Sequence, residues 1–308
     1  MYSGGFKDDF KNAFNKPNNE HTQLIIINVA VFLILAVLKV IGDLSGLESV
    51  FVLIYDQFSV PPLFSDFITR PWTIITYSFA HSLSGFIHIF FNMLVFYWFG
   101  RLVIEYLGGD KLISIYVLGA ISGAALYLLA YNLIPFYTES AGRLYGMVGA
   151  SAAVTAAVVA AATLMPNYTF FMLFIGPVKI KYIAAFFVVT SFLWSTGTNA
   201  GGNIAHLGGA LIGYLFIRQL QKGTDIGAWV IRTMNFFKSF FVRQPNIKVS
   251  YKKTSTSKKQ TKASGSTKSA ASSTSQDEID EILDKISEKG YESLSKEEKQ
   301  KLFNASKK

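Results

Sequence analysis

Six stretches of the chain are almost purely apolar, at about 24–42, 86–106, 112–134, 147–165, 179–196 and 204–221. A helix that crosses a bilayer needs roughly 17 to 25 such residues, so the pattern predicts six transmembrane helices. Turn formers separate them: Gly108-Gly109, Pro135, Pro166-Asn167, Gly176-Pro177 and the polar run STGTNAGGN at 195–203. Segment 43–85 breaks the rhythm, being aromatic but interrupted by Pro61, Pro62 and Pro71. Irregular backbone survives at membrane depth only where protein or water satisfies it, so this segment is expected to pack on the bundle at the interface. The fold class is an all-α membrane protein, a six-transmembrane-helix bundle with a long interfacial first loop.

The apolar pattern ends near residue 221. Residues 252–276, KKTSTSKKQTKASGSTKSAASSTSQ, cannot bury enough apolar surface to fold and read as a linker. Beyond it, Ser275 with Glu278 matches a capping box ahead of the helical face Ile279, Ile282, Leu283 and Ile286. Gly290 ends that helix, and Ser295 with Glu298 opens a second one that closes near Leu302 and Phe303. The expected organisation is a cytoplasmic segment at 1–23, the membrane domain at 24–221, a basic segment and disordered linker at 222–276, and a small helical hairpin at 277–308. The hairpin has the form of a docking element whose partner is unknown.

Charge adds an orientation. The mean hydropathy is +0.33, and the net charge of +9 comes entirely from the tail that begins at Arg218. Lys7, Lys11, Lys16, Arg101, Lys111, Lys179 and Lys181 cluster on alternate loops, so the positive-inside rule places both termini in the cytoplasm. The expected location is a bacterial cytoplasmic membrane, with the first span a retained signal-anchor. The basic excess follows the membrane flanks and does not call for nucleic acid. With no cysteine in the chain, disulfide and thiolate chemistry are excluded.

In this topology the even-numbered spans all run inward, and four polar residues fall at one depth near their outer ends. His88 and Asn92 share a face of the second span, Ser151 enters the fourth, and His206 enters the sixth. A histidine inside a span is costly and points to function. A serine hydroxyl becomes a useful nucleophile when an imidazole accepts its proton, and the resulting tetrahedral intermediate needs donors for its oxyanion. Ser151 as nucleophile, His206 as base, and His88, Asn92 and the Ser151 backbone N–H as donors form an acyl-transfer set. With no carboxylate at this depth, the arrangement implied is a dyad. The chain lacks HExxH, so zinc-protease chemistry is excluded and no metal or cofactor is expected. Asp56 and Asp110, which faintly match an aspartyl pattern, fall on opposite sides of the membrane.

The blocks HIFFNM (88–93), FGRLVIEYLGG (99–109), GAS (149–151) and AHLGGALIG (205–213) resemble those of the rhomboid intramembrane serine proteases. RPWTIITYSFAH (70–81) is similar to the family's first-loop segment. The resemblance covers roughly residues 65 to 220. It implies a rhomboid-like bundle that hydrolyses peptide bonds in or next to membrane-spanning protein substrates, with Ser151 and His206 as the dyad and His88 and Asn92 at the oxyanion. It also implies close helix packing at Gly149, Gly209 and Gly213. Two positions depart from the family pattern in ways that matter, and Thr73 after Trp72, where arginine is common, is a smaller third difference. Ala152 follows the serine where glycine is usual, and Thr155 stands where an aromatic ring often supports the histidine, leaving His206 to another neighbour or to looser support. The alternative implied is a catalytically inactive relative that binds membrane helices without cutting them.

Overall fold

The computed structural model describes residues 18–141, 146–172, 175–241, 276–290 and 293–305. In chain order it contains α1 Glu20–Ser45, α2 Glu48–Tyr55, α3 Phe64–Thr69, α4 Thr73–Thr76, α5 Ile87–Leu107, α6 Gly109–Leu133, α7 Pro135–Ala141 and α8 Ser151–Leu164. An antiparallel hairpin of β1 Thr169–Met172 and β2 Gly176–Lys179 follows, then α9 Ile180–Leu193, α10 Ala200–Gln221 and α11 Ala228–Phe241. The chain divides into two compact units, residues 1–245 and 246–308. The second contains α12 Gln276–Lys289 and α13 Lys296–Ala305.

The membrane bundle is built around α8. Its side chains from Ala152 to Ala162 are all buried, and only small residues would let neighbouring backbones come so close. Glycines on both flanking helices make the room. A Cβ on Gly209 or Gly213 of α10 would run into the carbonyl oxygens of Ala152 and Ala156. On α6, a Cβ at Gly119 or Gly123 would stand 2.6 Å from the Ala156 or Ala152 methyl. Among the described residues, four helices, α1, α5, α6 and α10, are long and apolar enough to cross a membrane. Helices α8 and α9 have 14 residues each. At 1.5 Å per residue each is about 21 Å long, shorter than a hydrocarbon core of about 30 Å.

Segment 46–86 folds into short helices laid against α6. The Tyr77 hydroxyl donates to the Ala120 carbonyl at 2.8 Å, and that of Tyr116 donates to the Ser78 carbonyl at 2.6 Å. Asn132 donates to the Pro62 carbonyl at 2.8 Å and accepts from the Phe64 N–H at 3.1 Å, so the proline-rich stretch keeps its backbone partners. Arg70 pairs with Asp56 at 3.2 Å.

Several boundaries differ from the sequence reading. Helix α1 begins at Glu20, inside the segment assigned to 1–23. The stretch 147–165 is helical only from Ser151, because Met147 is drawn into a backbone bridge with Val60, with N···O distances of 2.8 and 2.9 Å. The spacer between the fourth and fifth helices is a β-hairpin whose second strand opens at Gly176, where a φ of 87° suits glycine. Within the basic segment that precedes the expected linker, α11 occupies 228–241, a helix that the sequence reading did not draw. Lys7, Lys11, Lys16, Arg143, the tract 252–275 and the Ser275 cap lie outside the described residues. At the second hairpin helix the capping box is reciprocal. The Ser295 N–H donates to Glu298 at 2.7 Å, and the Glu298 N–H donates to Ser295 Oγ at 3.2 Å.

Candidate active site

Ser151 is the first residue of α8, and its Oγ lies 2.7 Å from Nε2 of His206 on α10. The other ring nitrogen, Nδ1, is 3.1 Å from Oγ of Ser191 on α9. With the imidazole proton on Nδ1 and donated to Ser191, the Nε2 lone pair is left to accept the Ser151 hydroxyl hydrogen. That is the tautomer a general base requires. Ser191 is buried, whereas Ser151 and His206 are half-buried, so the pair keeps some access from outside.

Helix geometry adds a charge effect. The first N–H groups of an α-helix have no intrahelical acceptor and carry the positive end of its dipole. A negative charge forming beside Ser151 meets that end of α8.

The approach to Ser151 is fixed from the interfacial segment. The Gly149 N–H donates to the Tyr77 carbonyl at 3.0 Å, and Gly149 adopts a φ of 136°, which few other residues tolerate. A Cβ there would stand 3.3 Å from Cε1 of His88 and 3.6 Å from Ser151 Oγ. Gly149 therefore is not a helix-packing residue, as expected above, but a backbone gap ahead of α8 across which His88 and Ser151 face each other. Gly209 and Gly213 do lie where α10 crosses α8. Asn92 is buried on α5 and donates to the His88 carbonyl at 3.0 Å, which leaves its second amide hydrogen for another acceptor.

The two departures from the family pattern now have physical explanations. The Ala152 methyl fits because Gly123 of α6 faces it. The Thr155 hydroxyl turns back to the Ser151 carbonyl at 2.7 Å and is buried there, so the imidazole is steadied from α9 by Ser191 instead. Sequence reasoning missed Ser191, whose only signal was a hydroxyl within an apolar run. It also missed His81. This buried ring of the interfacial segment meets His88 edge-on, with centroids 5.4 Å apart. Burial, and then the neighbouring His88, lower the pKa of His81 to about 3, so it is neutral at ordinary pH. Among the described residues, no group of three His, Cys, Asp or Glu side chains is placed to hold a metal ion.

The molecule is thus of the class of helical integral membrane proteins that hold a hydrogen-bonded Ser–His pair inside the bundle. The Rhomboid domain family profile matches residues 69–222, half of the chain, and the chain belongs to that family. It is 29% identical over 163 residues to RHOMBOID-like protein 12, mitochondrial, of Arabidopsis thaliana, an alignment covering 50% of this chain and 48% of that protein. The chain thus spans about half the length of this curated relative. Residues 270–308 match a second profile, a family of unknown function (DUF6576).

Proposed function

We propose that this rhomboid-family protein is an intramembrane serine endopeptidase. The observation that carries the reading is the 2.7 Å contact between Ser151 Oγ and His206 Nε2 at the N-terminus of the most enclosed helix. In the first step Ser151 Oγ attacks the carbonyl carbon of a peptide bond while its proton passes to Nε2 of His206. The oxyanion so formed is held by the Ser151 N–H, the Asn92 amide and the His88 ring. Collapse breaks the C–N bond, and the departing amine takes the proton from His206. Water then attacks the acyl-serine, with His206 again accepting its proton, and releases the carboxylate product and free Ser151. Its substrates are membrane proteins, cut in or next to a transmembrane segment. Ser191 is a positioning residue, which acts through the imidazole.

The test is covalent labelling of the purified protein with a fluorophosphonate. Mass spectrometry should place the adduct on Ser151, and His206→Ala should abolish it while the serine remains, because a hydroxyl without its base is hardly nucleophilic. A folded wild type that takes no label and leaves a transmembrane substrate uncut would instead be the inactive relative that binds helices. The orientation proposed, with both termini cytoplasmic, rests on the basic loops.

A further inference from the structure

Helix α11, AWVIRTMNFFKSFF, follows the last span, and its outer face has no protein against it among the described residues. Trp229, Met234, Phe236, Phe237 and Phe240 are all exposed, by 45% to 68%. At 100° per residue they share one half of the helix, and Arg232, Asn235, Lys238 and Ser239 share the other. Arg232 and Lys238 lie at the two edges of the polar half, where long cationic side chains can reach sideways from an apolar surface. The helix carries no acidic residue.

Its first turn is fastened to the bundle. Val230 is buried and the helix packs on α6. Ahead of it, Asp225 pairs with Lys111 of α6, and Ser114 Oγ donates to the Gly227 carbonyl at 3.2 Å. A Cβ on Gly227 would stand 2.6 Å from Ser114 and 2.7 Å from Phe216, so the chain enters α11 in close contact with two spans. Lys111 and Ser114 belong to the first turns of α6, which is the bundle end opposite Ser151. Glu20 lies against Gly109 at this same end.

The geometry points to α11 as a surface helix that binds the anionic headgroup layer of the bilayer at the end of the bundle away from the Ser–His pair. A row of exposed aromatic residues in water is unfavourable, whereas the boundary between headgroups and acyl chains accepts aromatic rings on one side and cations on the other. Its first turn packs on the first turns of α6, so the helix leaves the bundle at the end of a span, which is where the interface lies. Charge selects the kind of lipid. Between residues 242 and 276 the chain adds eight Lys and Arg and no Asp or Glu, and a basic cluster next to a span is attracted to anionic lipids. This assignment does not depend on the hydrolytic reading of Ser151.

The full chain has no cysteine, so a single nitroxide can be placed at Phe237→Cys or Asn235→Cys without background. Each labelled protein is reconstituted into phosphatidylcholine vesicles with or without phosphatidylglycerol. Collision with oxygen then reports lipid, and collision with a neutral nickel chelate reports water. With phosphatidylglycerol present, the label at 237 should favour oxygen and the label at 235 the nickel chelate. Arg232→Glu together with Lys238→Glu should raise nickel access at 237 severalfold in the anionic vesicles, with helix content by circular dichroism unchanged. Three results would overturn the assignment. One is a label at 237 that stays open to nickel in anionic vesicles. Another is shielding that ignores both lipid charge and the double reversal, and the third is shielding that grows with the protein-to-lipid ratio, which would make the occupant a second copy.

Discussion

Helices α8 and α9 have the same length and approach His206 from two sides, yet they are built in opposite ways. Helix α8 is made of Ala, Val and Thr between its first serine and its last residue, Leu164, and its side chains from Ala152 to Ala162 are all buried. Helix α9 is made mostly of large side chains and buries only Ile180, Ala184 and Ser191, while Tyr182, Phe186, Val189, Phe192 and Leu193 are exposed. Without a hydrophobic drive between helices in lipid, close backbone approach holds α8, and large lipid-facing residues would defeat it. Helix α9 needs contact along one narrow stripe only. Ser151 therefore sits on the most constrained element, and the hydroxyl bonded to the His206 ring sits on one of the least embedded.

The comparison breaks most completely at the glycines. Gly209→Leu pushes a branched side chain into the Ala152 carbonyl and should cost at least about 3 kcal/mol or abolish folding, an overpacking effect. Thermal unfolding in detergent, followed by circular dichroism, reads this directly. Ala185→Leu on the exposed side of α9 should stay within about 0.5 kcal/mol of wild type in the same experiment. Equal losses at both positions would show that α8 is not specially confined.

Next in size are the proposed oxyanion donors, His88 and Asn92. His88→Ala and Asn92→Ala should each lower turnover by about one to three orders of magnitude with little change in substrate binding. Cleavage of a model transmembrane substrate, normalised to folded protein, separates kcat from KM. A loss of stability with an unchanged rate per folded molecule would make both residues structural.

Ser191 sharpens the role of α9. Losing one neutral hydrogen bond removes roughly 0.5–1.5 kcal/mol, so Ser191→Ala should slow fluorophosphonate labelling of Ser151 by up to about tenfold. The pH profile of labelling should move with it, and Ser191→Thr, which keeps a hydroxyl, should recover most of the rate. A merely structural serine would change stability and leave the profile in place. The smallest effect belongs to the tail. Deleting residues 250–308 should leave cleavage within about twofold of the full chain, because the Ser/Thr/Lys tract before the hairpin lacks the apolar residues to couple it to the bundle.

Much of this was legible in the hydrophobic pattern, for a physical reason. Lipid requires backbone hydrogen bonds to be satisfied within a helix, so the four long spans announce themselves by apolar length. Helices α8 and α9, by contrast, lie within apolar runs longer than their 14-residue helices. Boundaries were less legible where tertiary pairing overrides local preference, as when Val60 claims Met147 and delays the start of α8. Helix α11 was hidden by reading 222–276 through its charge, although the spacing of Trp229, Phe236 and Phe240 carries a helical period. At the site, His88, Asn92, Ser151 and His206 stood out because polar residues in spans are rare. Ser191 and Tyr77 did not, since one acts through the far side of an imidazole and the other through a backbone carbonyl.

The links that place Ser151 are long in sequence, and that has a consequence for the chain during its synthesis. Gly149 is held by Tyr77, Met147 by Val60, and the imidazole against Ser151 comes from His206. A nascent chain that has just inserted α8 already carries its serine and the segment that shapes its approach, but the residue that would take the proton is not yet made. It reaches the ribosome exit only with the last span. In the hydrolytic reading, the growing chain is thus inert towards the membrane proteins being inserted beside it, and chemical competence arrives with completion of the bundle.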